Sequence, residues 1–127
     1  MDIPDNLKYS SEHEWLAVNG NKGKVGITAY AAEQIGDIVF VDLPAVGTKV
    51  TAGKSFGVIE AVKSVSELYA PASGTVVATN DAVGKSPESV AAEPYGGGWL
   101  IEIELSNPSE IDALKDAAGY RDMIAGL

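Results

Sequence analysis

The side chains that most often carry out chemistry are scarce in this chain. Its 127 residues include no cysteine and a single histidine, His13. Disulfides, thiolate metal sites and cysteine nucleophiles are excluded together, as is a multi-histidine metal site. Any Ser-His-Asp triad would have to be built on His13. What remains is lysine. Lys63 stands in the run Phe56-Gly57-Val58-Ile59-Glu60-Ala61-Val62-Lys63-Ser64-Val65-Ser66-Glu67-Leu68-Tyr69-Ala70-Pro71. Apolar residues flank it on both sides, as in two strands packed on one core with Lys63-Ser64 as the link between them. Neither Gly nor Asn, the residues a two-residue hairpin link favours, occupies that position. Solvation alone explains a lysine at a hairpin tip. A tip kept without the favoured turn residues points to a role other than turning.

The elements that position this lysine are short strands separated by glycine and proline turns. In Trp99-Leu100-Ile101-Glu102-Ile103-Glu104-Leu105 the period of two puts Trp99, Ile101, Ile103 and Leu105 on one face and Glu102 and Glu104 on the other. Further strands are predicted over 14–18, 24–27, 38–43, 55–62, 65–70 and 74–79. Their spacing argues for a small sandwich or barrel. Two helices interrupt them. Thr28 can cap a helix over 29–35, with Gly36 as a left-handed stop. A second begins at Asn107-Pro108-Ser109-Glu110, where Asn107 caps, Pro108 takes the first position and Glu110 reaches back to the cap. Ile111, Leu114 and Ala118 would share its buried face, and Gly119 would end it. A faint repeat relates Pro44-Ala45-Val46-Gly47-Thr48 to Pro71-Ala72-Ser73-Gly74-Thr75, on either side of the lysine segment.

Composition sets the outer limits. Hydrophobic residues make up 46% of the chain and charged residues 21%, enough for one domain over residues 1–127 with a hydrophobic core. Eighteen acidic residues against nine basic give a formal charge of −9, which repels nucleic-acid phosphate and anionic membrane surfaces. No apolar stretch reaches the length of a membrane span, and no basic run followed by an apolar one marks a signal peptide. A soluble, cytoplasmic monomer with no nucleic-acid or membrane partner is expected.

Two resemblances sharpen this. Glu60-Ala61-Val62-Lys63-Ser64, followed by Leu68-Tyr69-Ala70-Pro71 and Gly74, resembles the attachment hairpin of the biotinyl and lipoyl carriers. Four stretches together resemble the H-protein family of the glycine cleavage system. They are Tyr9-Ser10-Ser11-Glu12-His13-Glu14-Trp15, then Gly26-Ile27-Thr28 through Leu43-Pro44, then Phe56-Gly57-Val58 through Gly74, and Pro94-Tyr95-Gly96 through Trp99-Leu100. They span the chain nearly from end to end in the family's order.

The resemblance implies a mainly β barrel-sandwich hybrid with short flanking helices, one near the C-terminus, and lipoate attached covalently to Lys63. It implies a carrier and not an enzyme. The lipoyl group of such a carrier takes an aminomethyl group from a pyridoxal-phosphate glycine decarboxylase and passes it to a tetrahydrofolate-dependent aminomethyltransferase. A dihydrolipoyl dehydrogenase then reoxidises the arm, and lipoyl-attaching enzymes install it. The resemblance further implies a cleft for the loaded arm whose acidic groups match Glu14 and Glu67. Glu67 stands where the family commonly has aspartate, and Glu12 is a less typical neighbour. His13 belongs to the family's His-Glu-Trp run, with a structural hydrogen bond as its implied role. Ser89-Val90-Ala91-Ala92-Glu93 replaces a stretch that usually carries asparagine and aspartate.

Three alternatives share the hairpin. A lipoyl domain of a 2-oxoacid dehydrogenase usually has Asp before the lysine and a long linker, and here Val62 precedes Lys63. A biotin carrier has methionines where Val62 and Ser64 stand. An H-like relay protein, donating lipoyl groups to other enzymes, would use the same hairpin.

Overall fold

The structure, a computed structural model, describes residues 1–127 and has two antiparallel sheets. Strands β1 (Lys8–Tyr9), β2 (Glu14–Asn19), β3 (Lys22–Ile27), β5 (Lys49–Val50), β8 (Gly74–Thr79) and β9 (Ile101–Leu105) form one, in the order β1-β2-β3-β9-β8-β5. Strands β4 (Ile38–Asp42), β6 (Ser55–Ala61) and β7 (Val65–Tyr69) form the other, in the order β4-β6-β7. Four helices flank them: α1 (Ala29–Ile35), α2 (Asp81–Lys85), α3 (Ser89–Ala92) and α4 (Ala117–Ala125). This is the mainly β, two-sheet architecture expected, with a helix near the C-terminus.

Alternation explains how the sheets close on one another. Leu16, Val25, Val76, Ile101 and Ile103 from the larger sheet meet Val41, Ile59 and Leu68 from the smaller in one buried cluster. Removing these side chains from water is the main favourable term in folding. A second cluster joins Tyr9 and Trp15 to Ile3, Leu7, Ala117 and Tyr120, so the N-terminal segment and α4 pack together against β1 and β2. Gly26 is required where β3 pairs with β2 opposite Trp15, because a Cβ there would meet the Trp15 ring at 2.5 Å.

Several expectations change in detail. The last strand starts at Ile101, and the alternation fails just before it. Leu100 is fully buried in the main core, while Trp99 lies only partly buried against the second cluster. The helix predicted from Asn107 is broken in two. Residues Pro108–Ala113 form a 3₁₀ turn, and α4 begins only after Asp116, whose carboxylate accepts from the Gly119 N–H at 2.8 Å. Gly119 therefore lies inside the first turn of a helix. Glu110 makes no capping box: its two oxygens accept from the Ser73 N–H (2.8 Å) and Ser73 Oγ–H (2.9 Å). Thr28 does cap α1, accepting from the Ala31 N–H. Gly36 ends that helix with φ +83° and ψ −140°, a region left-handed in φ but not the helical one predicted.

The repeat has a structural counterpart. β5, which follows the first copy, pairs with β8, which holds the end of the second (Lys49 opposite Thr75), and Gly47 N–H donates to the Val76 carbonyl.

Candidate functional site

Lys63 sits at the tip of the β6–β7 hairpin. Glu60 pairs with Val65, and the Ala61 N–H donates to the Ser64 carbonyl at 2.8 Å. The two-residue link is thus Val62-Lys63, one residue earlier than the apolar pattern suggests. No residue of the tip has positive φ, so it lacks the primed turn geometry of most two-residue hairpins. A tertiary bond supports it instead. The Val62 N–H donates to the Asp37 carbonyl at 3.0 Å, tying the tip to the residue before β4. Lys63 itself is exposed, and the chain's one salt bridge, Arg121 with Asp5, involves other residues. The amine is displayed on a braced support.

The outward face of this small sheet mixes exposed apolar side chains with carboxylates. Phe40, Glu60 and Val65 stand in one cross-strand row. Phe40 is 50% exposed, Val65 65% and Val62 70%. The nearby carboxylates Asp42, Glu60 and Glu67 have no salt-bridge partner.

Beside the hairpin, between α1 and β7, lies a cleft of about 280 Å³. Glu12, His13 and Glu14 line it from the start of β2, Tyr30 and Gln34 from α1, and Ser66 and Glu67 from β7. Glu14 and Glu67 both line it. The span from Lys63 to Glu67 is four residues of strand, roughly 13 Å, so a long flexible arm on Lys63 can fold back to it. Glu12 and Glu14 also line a second cleft of about 320 Å³, together with Tyr9, Ser10, Tyr69 and Lys115. Glu14 is therefore part of the partition between the two.

The two carboxyl groups differ sharply. Glu14 is 2% exposed. It accepts from the Ser10 Oγ–H at 2.7 Å and from the Tyr69 N–H at 3.2 Å. Burial pushes its carboxyl up to about 8, and these two hydrogen bonds only partly oppose that. Glu67 is exposed and accepts from the Tyr69 hydroxyl at 3.1 Å, which raises that phenol above its usual range. Tyr69 thus touches both, one through its backbone and one through its ring hydroxyl. A buried, largely un-ionised carboxyl next to a cavity is suited to meeting a cation, because the cation favours ionisation where water cannot.

One residue of the cleft carried no functional weight in the sequence. His13 has φ +71°, the only non-glycine residue with positive φ, and its Nδ1 lies 2.8 Å from the Tyr120 hydroxyl. That bond joins residues 107 apart, which no local pattern could reveal. Histidine is one of the few side chains enriched in this backbone region.

Residues 7–126 match the family model described as "Glycine cleavage H-protein". The chain is 55% identical over 119 residues to the glycine cleavage system H protein of Symbiobacterium thermophilum, covering 94% of this chain and 93% of that one. It is 51% identical to the protein of the same name from Myxococcus xanthus, covering 97% and 95%. The crystal structure of a glycine cleavage system H protein from Mycobacterium marinum superposes with a TM-score of 0.89 at 40% identity, covering 98% of this chain and 100% of that one.

Proposed function

The chain belongs to the glycine cleavage H-protein family, and from that premise we propose that Lys63 is the residue that bears its lipoyl group. The chain is a non-catalytic lipoyl carrier of glycine cleavage. The observation that supports Lys63 is the braced tip: an exposed amine outside any salt bridge, held out by the Val62 N–H to Asp37 carbonyl bond. The residues present fit the group. The lysine is accessible to an acylating enzyme, and a cleft lined by carboxyl groups lies within the reach of the arm. When bound, the lipoyl group supplies a reactive disulfide that accepts and carries the aminomethyl group.

The protein's own residues present that group and shelter it. β6 and β7 hold Lys63 away from the core. Burial favours the protonated Glu14 carboxyl, which on ionising becomes a buried anion for a cationic cargo. Glu67, a methylene longer than the family's usual aspartate, contributes a second and more solvated carboxylate. The partners follow from the same reading: the glycine decarboxylase, the aminomethyltransferase, dihydrolipoyl dehydrogenase and the enzymes that attach lipoate. Residues 1–127 act as one carrier domain, a monomer working in the cytoplasm. No helix is long and apolar enough to cross a membrane.

The test is the intact mass of protein from a lipoate-competent host, followed by peptide mapping. One lipoyl increment on Lys63 is expected. Biotin there, or the increment on another lysine, overturns the assignment.

A further inference from the structure

His13, Thr28 and Tyr120 close a ring of bonds beside the cleft. The Thr28 N–H donates to the His13 carbonyl at 3.1 Å. Thr28 Oγ1 lies 2.7 Å from the Tyr120 hydroxyl, which lies 2.8 Å from His13 Nδ1. Distances alone leave the protons unassigned, but burial assigns them. Thr28 and Tyr120 are both fully buried. Thr28 Oγ1 already accepts the Ala31 N–H, so its own hydrogen has the Tyr120 oxygen as its partner. A buried hydroxyl with no acceptor would be left unsatisfied otherwise. Tyr120 then has one hydrogen to give, and His13 Nδ1 is what receives it. Nδ1 is thereby an acceptor, and in a neutral imidazole the proton must be on Nε2.

The ring is held in place from several sides. Tyr120 stacks on Tyr9 with centroids 4.7 Å apart and meets the His13 ring edge-on. Tyr30 packs against the other side of His13 at 4.8 Å. Burial lowers the tendency of His13 to take a second proton, with Glu12 opposing in part. Its backbone is kept at φ +71°, and strain of this kind concentrates where a side chain must be aimed. Nε2 makes no bond within the protein, and His13 lines the cleft next to Glu14.

We propose that Thr28 and Tyr120 fix His13 as an Nε2–H hydrogen-bond donor on the wall of the arm cleft, so that this imidazole holds a sulfur acceptor of the arm and takes no proton from its cationic end. Tyr120 and Thr28 are positioning residues and act only through His13. The acceptor is sulfur because a cation at Glu14 and the sulfur bearing it are separated by one carbon, and His13 lines the same cleft as Glu14. An imidazole with its lone pair turned into the cleft would instead compete for the ammonium proton that keeps the cation paired with Glu14. The proposal rests on the Lys63 reading above.

His13 is the only histidine, so protein grown on ¹⁵N-histidine gives one unambiguous imidazole. In the unmodified wild type at pH 7, two-bond proton–nitrogen spectra should show Nδ1 unprotonated and Nε2 protonated. The Nδ1-protonated form, or an even mixture, overturns the proposal without any variant. Tyr120→Phe should move the nitrogen shifts toward the mixed tautomers of free imidazole, and Thr28→Ser, which keeps the hydroxyl, should hold the wild-type pattern. A merely structural role for Tyr120 would leave the tautomer unchanged. In lipoylated protein loaded with glycine decarboxylase and glycine, the Nε2 resonance should shift, and Lys63→Arg protein treated alike should show no shift. An unmoved Nε2 in protein whose mass proves a loaded Lys63 refutes the His13 contact and leaves the Lys63 reading intact. A lipoyl increment found elsewhere than Lys63 refutes that reading instead.

Discussion

The two sheets bury their inner faces alike and use their outer faces differently. On the six-stranded sheet the outward side of β1 and β2 is covered by the cluster that joins Tyr9 and Trp15 to Tyr120 of α4, and the next outward row holds Ala17, Lys24 and Glu102. On the three-stranded sheet the outward row holds Phe40 and Val65, half exposed or more, around the lysine tip. Leaving such side chains in water forgoes about 25 cal/mol for each Å² that burial would recover. The difference assigns stability to the larger sheet and presentation to the smaller. It also predicts that damage to one should leave the other's task alone.

The sharpest separation is Lys63→Arg. Arginine keeps the charge, but its guanidinium is not acylated as an amine is. The lipoyl increment should vanish entirely from the intact mass, while the thermal midpoint stays that of wild type. Residual lipoylation would mean that the hairpin tip is not the attachment site.

Core substitutions should do the reverse. Ile101→Ala and Ile103→Ala, both at fully buried positions, should each lower stability by about 2–5 kcal/mol in urea unfolding. Glu102→Ala on the same strand and Val65→Ser on the hairpin should stay within about 0.5 kcal/mol. Lipoylation of every variant that remains folded should be complete. Equal losses at Ile103 and Val65 would erase the distinction between the sheets.

Glu14 belongs to both regions, lying on a strand of the large sheet and bonded to Tyr69 of the small one. Glu14→Ala should still be lipoylated. Its loaded form, isolated without tetrahydrofolate, should lose ammonia and formaldehyde severalfold faster than the Glu102→Ala control. Equal rates would move the protective role to Glu67.

Much of this was legible in the sequence wherever one local rule decided the outcome. Glycine and proline turns marked off seven of the nine strands, missing only β1 and β5 of two residues each, and Thr28 before Ala29-Tyr30-Ala31 identified a capped helix. The tip lysine stood out because nothing about turning explained it. What stayed hidden depended on partners far along the chain. Glu110 reads as a capping-box residue until Ser73 takes both its oxygens, and the helix then shortens to a 3₁₀ turn. The hairpin link was misplaced by one residue because Val62 and Ser64 are equally plausible turn neighbours until Ala61 pairs with Ser64. α2 and α3, of five and four residues, are too short for a periodic signal. His13 showed only as a family match, since Tyr120 and the positive φ belong to the tertiary structure.

The most gradual effect expected is a slope of stability with pH, and it tests whether Glu14 waits in the cleft as an acid or as an anion. In the unfolded chain its carboxyl titrates near 4.5, and burial raises it in the folded protein to about 8. Between those values the folded protein keeps a proton that the unfolded chain has released. The stability this contributes is complete below about pH 4.5 and is lost as pH rises through about 8. His13 acts in the opposite sense. Its folded value is lowered, so its contribution is present above the unfolded value of 6.5 and fades as pH falls through the folded one. Tyr120, raised to about 12, titrates above the window. Glu14→Gln removes one of the two slopes and leaves the other. The amide cannot accept from both Ser10 and Tyr69, so the variant carries a constant offset, and the slope of the difference is the informative quantity. Urea midpoints of unmodified wild type minus Glu14→Gln should fall steadily from pH 4.5 to 8. A flat difference would show that Glu14 is already ionised in the unmodified protein. Loading the arm should then flatten the wild-type slope, because a cation at Glu14 draws its carboxyl back toward the ordinary range. If it does, the proton leaves the cleft as the cargo enters, and the stability of the larger sheet is coupled to the task of the smaller.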